Sequence, residues 1–447
     1  MERPPLAVIE GGPRAPGLRC ALELLGAGFA LTLVVTWMAS LPDWYHHLGR
    51  FQGMYAAAFG IYALAVARVK RWALLPHVEW VVFGVALATR AALLPVPPSL
   101  SGDVYRYVWE GNVLAHGLDP YRLSPNAAAL AFLRDPAVYP FVNHRELAAI
   151  YPPLALLGYA AVAALSPTVL ALKLWCALHD LALVGVLIVW LKRRGGSGAH
   201  AIVYAWNPLV LVEFAGNGHN DPTGMVWLLL ALMWAEERPV ASALALAAGV
   251  LTKLAPLVAL PFLISRWPWR ARLAGGGLIA AGLGAYVALT RDTSSGLAAY
   301  LSTWRNNELA FHYLERWTGS YSAARTLAWS AVVAVLAHAL ARELGAARAT
   351  PRGFRTALVL GPVLHPWYLG WTLMFEPLAL SAPWLLLSFT AVLNYGVFHT
   401  PGEGRNFHLP VAWRWVEYGL PLLLGAALFA ARRLRRRSRL RKVASAA

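Results

Sequence analysis

Twelve long apolar segments dominate this chain and constrain its fold more than any other feature. They are 20–39, 51–67, 75–94, 168–191, 199–216, 222–235, 240–264, 273–290, 321–342, 354–379, 381–398 and 411–431. A helix needs about 20 apolar residues to cross the hydrocarbon core of a bilayer, and these segments meet or approach that length. Hydrophobic residues make up 58% of the 447 residues, against about 45–50% in soluble domains. The sequence therefore predicts an all-α integral membrane protein with about 12–14 transmembrane helices, some of them broken.

The distribution of basic residues predicts the orientation of these helices, because short cytoplasmic loops are enriched in Lys and Arg. The basic stretches are 68–71, 192–194, 266–272, 342–355 and 432–442. Placing them in the cytoplasm makes residues 95–150 and 291–320 extracytoplasmic. The net charge of +17 then comes mainly from basic residues that lie on the cytoplasmic side of the membrane. Eight of the 39 basic residues lie in the C-terminal tail. We expect a lipid bilayer as partner and no nucleic acid.

No long linker or internal repeat divides the chain, so we expect one polytopic domain over 20–431. The apolar run of segment 20–39 is longer than that of a signal peptide and predicts an uncleaved anchor. Residues 1–19 and the basic tail 432–447 are expected in the cytoplasm, at the inner face of the cytoplasmic membrane.

The predicted orientation requires three adjustments to the helices. Residues 151–165 are short and begin at prolines, which predicts a re-entrant or surface helix instead of a crossing. Residues 240–264 predict two half-helices that meet near Lys253 and Pro256, and residues 354–379 predict two short helices that meet at HPW, 365–367. Proline removes a helix hydrogen bond, and irregular backbone at membrane depth is tolerated where it lines a cavity or protein. The breaks therefore predict a cavity.

The largest polar insertion, 95–150, contains the sequence SGDVYRYVWEGN. On a helix, Asp103, Arg106, Tyr107 and Glu110 share one face, which predicts an amphipathic helix on the membrane surface. Asp103 is the candidate general base, because a carboxylate beside a cation can accept a proton from a hydroxyl group. The alternative is a solvated helix in which Asp103 merely pairs with Arg106.

A second polar cluster, GNGHNDP at 216–222, separates two apolar segments, with Glu213 near its rim. His219 and Asp221 could bind a sugar hydroxyl, a phosphate or a divalent cation, and a plain polar hairpin is equally consistent with the sequence. Cys20 and Cys176 lie in apolar segments, so cysteine offers neither a disulfide framework nor a metal site.

Ionisable residues also lie within the apolar segments. Lys253 cannot easily reach the interface and is expected to bind a phosphate, whereas Lys173 and Arg90 are expected to extend towards it. Asp180 is interpreted either as the counter-ion of Lys253 or as a residue with a direct role.

The sequence contains no nucleotide-binding glycine loop and no Ser–His–Asp arrangement that we can defend. Without a nucleotide site, the energy for a reaction or for transport must come from the substrate itself or from an ion gradient. These alternatives favour a transferase with an activated lipid donor or a transporter.

The ordered motifs SGDVYRYVWEGN, GLDPY, NHRELAAIYPP, WNPLVLVEFAGNGHND, LTKLAPLVALP and HPWYLGW resemble bacterial glycosyltransferase family 87. That family comprises polyprenol-phosphate-mannose-dependent mannosyltransferases and their relatives in the GT-C superfamily. The resemblance runs over about residues 100–375 and implies a GT-C-type fold. It also implies an extracytoplasmic loop with surface helices, here 95–150, that carries the catalytic acidic residue, which falls on Asp103.

The resemblance further implies transfer of a hexose, by default mannose, from a polyprenyl-phosphate donor to an extracytoplasmic glycan or glycolipid, with inversion. Asp103 would deprotonate the acceptor while Lys253, with Arg106 or Arg414, neutralises the phosphate. The expected substrate-binding and donor-binding residues are Arg106, Tyr107, Glu110, Tyr121, Tyr151, His219, Asn220, Asp221, Lys253, His365, Trp367, Tyr368 and Arg414. The rival interpretations are a flippase for polyprenyl-linked glycans and a glycan ligase or polymerase with a lipid pyrophosphate donor.

Overall fold

The structure is a computed structural model that describes residues 17–291, 296–399 and 409–444. Its α-helices in the first half are α1 Leu18–Ala39, α2 Leu48–Trp72, α3 Val78–Leu93, α4 Asp103–Ala115, α5 Pro153–Leu165, α6 Val169–Arg193, α7 Ile202–Ala205, α8 Pro208–Val210, α9 Asp221–Met233 and α10 Pro239–Thr252. Those of the second half are α11 Leu260–Ile264, α12 Trp269–Ala271, α13 Gly277–Leu289, α14 Gly296–Thr303, α15 Ala310–Thr318, α16 Tyr321–Ala341, α17 Ala346–Leu360, α18 Gly370–Leu373, α19 Ala382–Thr390 and α20 Val411–Ala444.

Short 3₁₀ and π turns connect or extend these helices. The 3₁₀ turns are Ala128–Leu133, Tyr139–Phe141, Gly198–Ala201, Ala255–Ala259, Pro366–Leu369 and Ala391–His399, and the π turns are Leu211–Gly216 and Arg272–Gly276. In the described ranges the only β pairing is an isolated bridge between Asn306 and Val363. The expected all-α fold is confirmed.

Four helical stretches within the described ranges are long and apolar enough to cross a membrane. They are Leu18–Ala39, Val169–Arg193, Trp269–Leu289 and Tyr321–Ala341. Shorter apolar helices, such as Pro153–Leu165 and Pro239–Thr252, accompany them. The chain is therefore a multi-pass α-helical membrane protein, and the number of 12–14 crossings stays a prediction.

Local sequence signals explain where several helices begin and end. The side chains of Thr168 and Ser320 accept hydrogen bonds from backbone N–H groups in the first turns of α6 and α16. Helix α15 ends at Gly319, whose φ of +66° lies in the left-handed region that glycine adopts readily.

The predicted breaks are present. Helix α10 ends at Thr252, Lys253 is extended, and the chain resumes as a 3₁₀ turn at Ala255–Ala259. Helix α17 ends at Leu360, and His365 is extended before the next 3₁₀ turn begins at Pro366.

The predicted helix is present as α4, Asp103–Ala115, but the alternative of a solvated helix is wrong. Arg106, Tyr107 and Glu110 are buried, and so are the apolar residues of the opposite face. Helix α5 packs so closely on α4 that a Cβ at Gly111 would lie 2.6 Å from the backbone of Tyr159. The face of α4 that carries Arg106, Tyr107 and Glu110 is therefore buried inside the protein.

The predicted partners of the intramembrane ions need correction. Asp180 is fully buried and pairs with Arg90, with Nε and Oδ2 2.7 Å apart, so it is not the counter-ion of Lys253. Arg90 does not extend to the interface, because it also donates to the carbonyl oxygens of Ala86 and Ala205. Tyr204 donates to the second oxygen of Asp180 at 2.6 Å. This network joins α3, α6 and α7.

Lys173 does not extend to the interface either. Its side chain is 1% exposed, and its Nζ donates to the carbonyl oxygens of Leu93 and Val96 at the end of α3. A cation at a helix C-terminus satisfies carbonyl groups that have no partner within the helix. Lys173 therefore stabilises the junction between α6 and α3.

Candidate active site

A cavity of about 700 Å³ lies where the large polar insertion meets four distant segments. Its walls come from residues 43–46, 97–106, 141–151, 296–306, 365–368 and 394–398. Two expected extracytoplasmic regions, 95–150 and 291–320, both contribute, so they lie at the same end of the molecule. The cavity joins the polar insertion to the break at HPW, as the broken helices predict.

Asp103 lies on the cavity wall in the first turn of α4. Its side chain is 24% exposed, and its Oδ1 accepts a hydrogen bond of 2.9 Å from Nδ2 of Asn143. The backbone N–H of Asp103 donates to Oγ of Ser101. The carboxyl group of Asp103 therefore lies at the N-terminus of α4 and is accessible from the cavity.

Arg106 also reaches the cavity wall, but its donors are used within the protein. Its Nε donates to Glu110 at 2.7 Å, and its two terminal nitrogens donate to the carbonyl oxygens of Asn143, His144, Leu147 and Ala148. These bonds fix the segment that carries Asn143 beside Asp103. Burial raises the pKa of Glu110, while the adjacent guanidinium of Arg106 opposes that change. We therefore assign Arg106 and Glu110 a positioning role.

The predicted tyrosines form a packed cluster behind the wall. Tyr107 stacks on Tyr159 and meets Tyr151 edge to face. Tyr121 donates to the carbonyl oxygen of Tyr151 at 2.6 Å. Of Tyr107, Tyr121 and Tyr151, only Tyr151 is among the residues that line the cavity, and the fourth predicted tyrosine, Tyr368, lines it as well.

The GNGHND turn lies beside Asp103, although 113 or more residues separate them in the sequence. Nε2 of His219 is 3.9 Å from Oδ2 of Asp103 and 3.1 Å from Oγ of Ser101. The turn depends on Gly218, whose φ is +77° and where a Cβ would lie 2.8 Å from Cγ of Lys173. No residue of the turn is among the residues that line the cavity, so the polar hairpin lies behind the wall at the candidate base.

Asn220 and Asp221 are fully buried and bind protein groups. Asn220 donates to the hydroxyl of Tyr159, and Asp221 accepts from Nε1 of Trp371 at 2.7 Å and from Nζ of Lys253 at 3.0 Å. The structure does not bring either side chain onto the cavity surface, so their substrate contact stays a prediction.

Lys253 lies just behind the cavity at the break between α10 and α11. Its Nζ donates to Asn220 and Asp221, and it lies 5.8 Å from the ring centroids of both Tyr151 and Tyr368. Its side chain is 18% exposed. An ammonium group has three donors, so one remains after these two hydrogen bonds.

The HPW break places its aromatic residues on the wall. Trp367 stacks between His219 and His365, with ring centroids 3.8 and 4.3 Å away. The hydroxyls of Tyr368 and Tyr300 are 2.9 Å apart. The expected aromatic contacts with a sugar or a lipid chain are geometrically available at these residues.

Arg414 is not among the residues that line the cavity. It is buried and pairs with Glu308, both through the carboxylate and through the backbone carbonyl. Arg405 and His408, which precede Arg414 in the sequence and could also face a phosphate, lie outside the described residues.

Several wall residues were not identified from sequence. They are Asp43, Tyr45 and His46 before α2, Asn143 and His144, Tyr300, Trp304 and Asn306, and Asn394 and Tyr395. Short polar, aromatic-rich stretches such as DWYHH and NHRE between apolar segments were the available signal. Their convergence depends on helix packing, which local patterns do not reveal.

Among the described residues, no group of three or more His, Cys, Asp or Glu side chains is arranged to hold a metal ion.

The fold and the site define a multi-pass α-helical membrane protein with a carboxylate on the wall of an aromatic cavity. Residues 17–269, more than half of the chain, match the model of a family described as alpha-(1->6)-mannopyranosyltransferase, N-terminal domain. The chain belongs to this family. The match confirms the resemblance to bacterial mannosyltransferases that the motifs indicated.

Individual relatives agree with the family match. Alpha-(1->6)-mannopyranosyltransferase A of Mycobacterium tuberculosis is 33% identical over 190 residues, which cover 40% of this chain and 35% of the relative. A probable alpha-(1->6)-mannopyranosyltransferase of Mycolicibacterium smegmatis is 29% identical over 220 residues, covering 40% of this chain and 38% of the relative. The alignments thus span little more than a third of the length of these relatives. No solved structure matches.

Proposed function

We propose that this protein is a membrane mannosyltransferase that uses a polyprenyl-phosphate-mannose donor. It would transfer mannose with inversion to a hydroxyl group of an extracytoplasmic glycan or glycolipid. The family match supports the reaction class, and the observation that carries the mechanism is the partly exposed carboxylate of Asp103 on the cavity wall.

Asp103 is the proposed general base. Inversion requires a base on one face of the sugar and departure of the phosphate from the other. Asn143 holds Oδ1 of Asp103, so the carboxylate is oriented before the acceptor arrives. The acceptor hydroxyl gives its proton to Asp103 as the new glycosidic bond forms and the bond from the sugar to the phosphate breaks.

Lys253 is the proposed phosphate contact. Its Nζ lies 5.8 Å from the ring centroids of Tyr151 and Tyr368, which line the cavity, and one of its donors is not used by Asn220 or Asp221. Asp221 pairs with Lys253, so the expected contribution of Lys253 to donor binding is moderate. The aromatic walls suit stacking against a sugar ring or contact with an isoprenoid chain.

A transfer assay tests the proposal. The purified full chain is incubated with radiolabelled polyprenyl-phosphate-mannose and a membrane lipid extract, and labelled product is measured. Asp103→Asn should lower transfer by about 10²–10⁴-fold, because it removes the base but preserves the size of the side chain.

The matched control is Asp119→Asn, a carboxylate of the same insertion that is not among the cavity-lining residues and pairs with Arg122. It should transfer mannose at the wild-type rate. Movement of a lipid-linked glycan without bond cleavage would establish the flippase instead. Transfer only from a lipid pyrophosphate donor would establish the ligase or polymerase.

A further inference from the structure

Glu213 and His219 form a buried pair directly behind the candidate base. Both side chains are fully buried, and Nδ1 of His219 lies 3.0 Å from Oε2 of Glu213 and 3.2 Å from the backbone carbonyl oxygen of the same residue. The sequence indicated Glu213 only as a residue near the rim of the polar turn. A buried carboxylate and an imidazole at this distance fix which ring nitrogen carries the proton.

The carboxylate of Glu213 has further donors within the protein. The hydroxyl of Tyr395 donates to Oε1, and Nδ2 of Asn217 donates to Oε2 at 3.2 Å. With Nδ1–H directed to Glu213, Nε2 of His219 is left as an acceptor on the side of Asp103.

Two groups lie in front of Nε2. The hydroxyl of Ser101 is 3.1 Å away and Oδ2 of Asp103 is 3.9 Å away, and both residues line the cavity. Trp367 covers the ring face of His219 at a centroid distance of 3.8 Å and an interplanar angle of 16°. Ser101 and Asp103 therefore lie between the imidazole and the cavity. His219 is not among the lining residues, so it does not contact the substrate itself.

We propose that His219, held by Glu213, is a positioning residue that accepts, through Ser101, the proton that Asp103 removes from the acceptor hydroxyl. This inference rests on the proposed function. The O–H bond of the acceptor breaks, its oxygen bonds to the sugar carbon, and the electron pair of the cleaved bond leaves with the phosphate. Asp103 passes the proton to the hydroxyl of Ser101, which donates its own proton to Nε2 of His219, 3.1 Å away, and the proton is released to solvent after the products leave.

The pair suits this role for an electrostatic reason. The imidazolium formed by the transfer lies between two carboxylates, Glu213 and Asp103, and is stabilised by both. The other ionisable groups that face the pair are His365, beyond Trp367, and the phenols of Tyr395 and Tyr55. Asp103 is returned to its ionised form for the next acceptor.

The test is the pH dependence of kcat for the purified full chain. In the wild type, kcat should fall on the acid side of the profile, because a His219 that has taken up a proton from solvent can no longer accept one from Asp103. His219→Gln should lower kcat by about 10–100-fold and move the acid limb down by about one pH unit or more, because glutamine does not titrate.

Glu213→Gln is the second variant, since it preserves the volume of the side chain and keeps an oxygen for Tyr395. It should also move the acid limb to lower pH, because an imidazolium without an adjacent carboxylate forms less readily. The donor KM should stay within about twofold of the wild-type value in both variants, as expected for residues that do not touch the donor.

The control is Glu376→Gln, a buried carboxylate that pairs with Arg355 and does not line the cavity. It should leave the acid limb in place. Reduced kcat with an unmoved acid limb in both test variants would overturn the proposal, and so would a donor KM that rises as much as kcat falls. A wild-type protein that transfers no mannose, or an active Asp103→Asn, would instead reject the proposed function.

Discussion

Asp103 and Asp180 are both aspartates in helices of one membrane protein, yet their surroundings differ completely. Asp180 is fully buried, and both its oxygens are bound, by Arg90 and by Tyr204. Asp103 is 24% exposed to a cavity, and Asn143 binds one of its oxygens. A carboxylate saturated by protein groups stabilises the fold, whereas a carboxylate with access to a cavity is able to react.

The comparison of Asp103 with Asp180 predicts that a substitution at Asp180 lowers the stability of the protein more than one at Asp103. Asp180→Asn leaves the charge of Arg90 buried without a counter-ion, which should cost about 3–5 kcal/mol of unfolding free energy. Equilibrium unfolding in detergent micelles measures this. Asp103→Asn should change the same quantity by less than about 0.5 kcal/mol, and an equal loss in both variants would remove the distinction.

A double variant sharpens the interpretation of Asp180. Replacing both charges, as in Arg90→Met with Asp180→Leu, should recover most of the stability lost in Asp180→Asn, because hydrophobic replacements of buried ion pairs are often neutral. If the double variant folds normally but transfers no mannose, Asp180 has a direct role and the comparison is wrong.

The support of Asp103 by Asn143 predicts the next largest effect. Asn143→Ala removes a hydrogen bond to a carboxylate, which is worth about 1.5–3 kcal/mol, so kcat should fall by roughly 10-fold or more. Steady-state transfer kinetics measure it. Asn126→Ala in the same insertion, whose side chain accepts from Tyr139, is the control and should keep the wild-type kcat.

Lys253 should affect binding more than turnover. Lys253→Gln preserves hydrogen bonding to Asp221 but removes the positive charge, and we expect the donor KM to rise by about tenfold with a smaller change in kcat. Lys192→Gln, an exposed lysine paired with Glu79, is the control. Lys173 would be a poor control, because its buried ammonium supports the end of α3 next to the cavity loop. An unchanged donor KM would show that Lys253 does not bind the phosphate.

The smallest perturbation tests the side of the membrane on which Asp103 lies. A cysteine introduced at Ser124, in the same insertion, should react with a membrane-impermeant reagent in intact cells. Cys20 and Cys176 are buried, so the background labelling should be low. Labelling that requires lysis would place the cavity on the cytoplasmic side.

The sequence alone determined the elements and their interruptions. Long apolar segments require helices in a bilayer, because the backbone has no other hydrogen-bond partners there. The helix that begins at Asp103 and the breaks at Lys253 and HPW follow from local residue types, and the structure contains all of them. These features depend on residues close in the chain, which a pattern can reveal.

The tertiary structure decided which distant groups meet. Asp180 could have paired with Lys253, yet Lys253 binds Asp221 and Asp180 binds Arg90. Likewise His219 lies between Glu213 and the wall that carries Asp103. Opposite charges attract whichever helix carries them, so charge alone leaves several pairings open. The packing of the helices selects one pairing, because each buried charge must find its partner within hydrogen-bond distance.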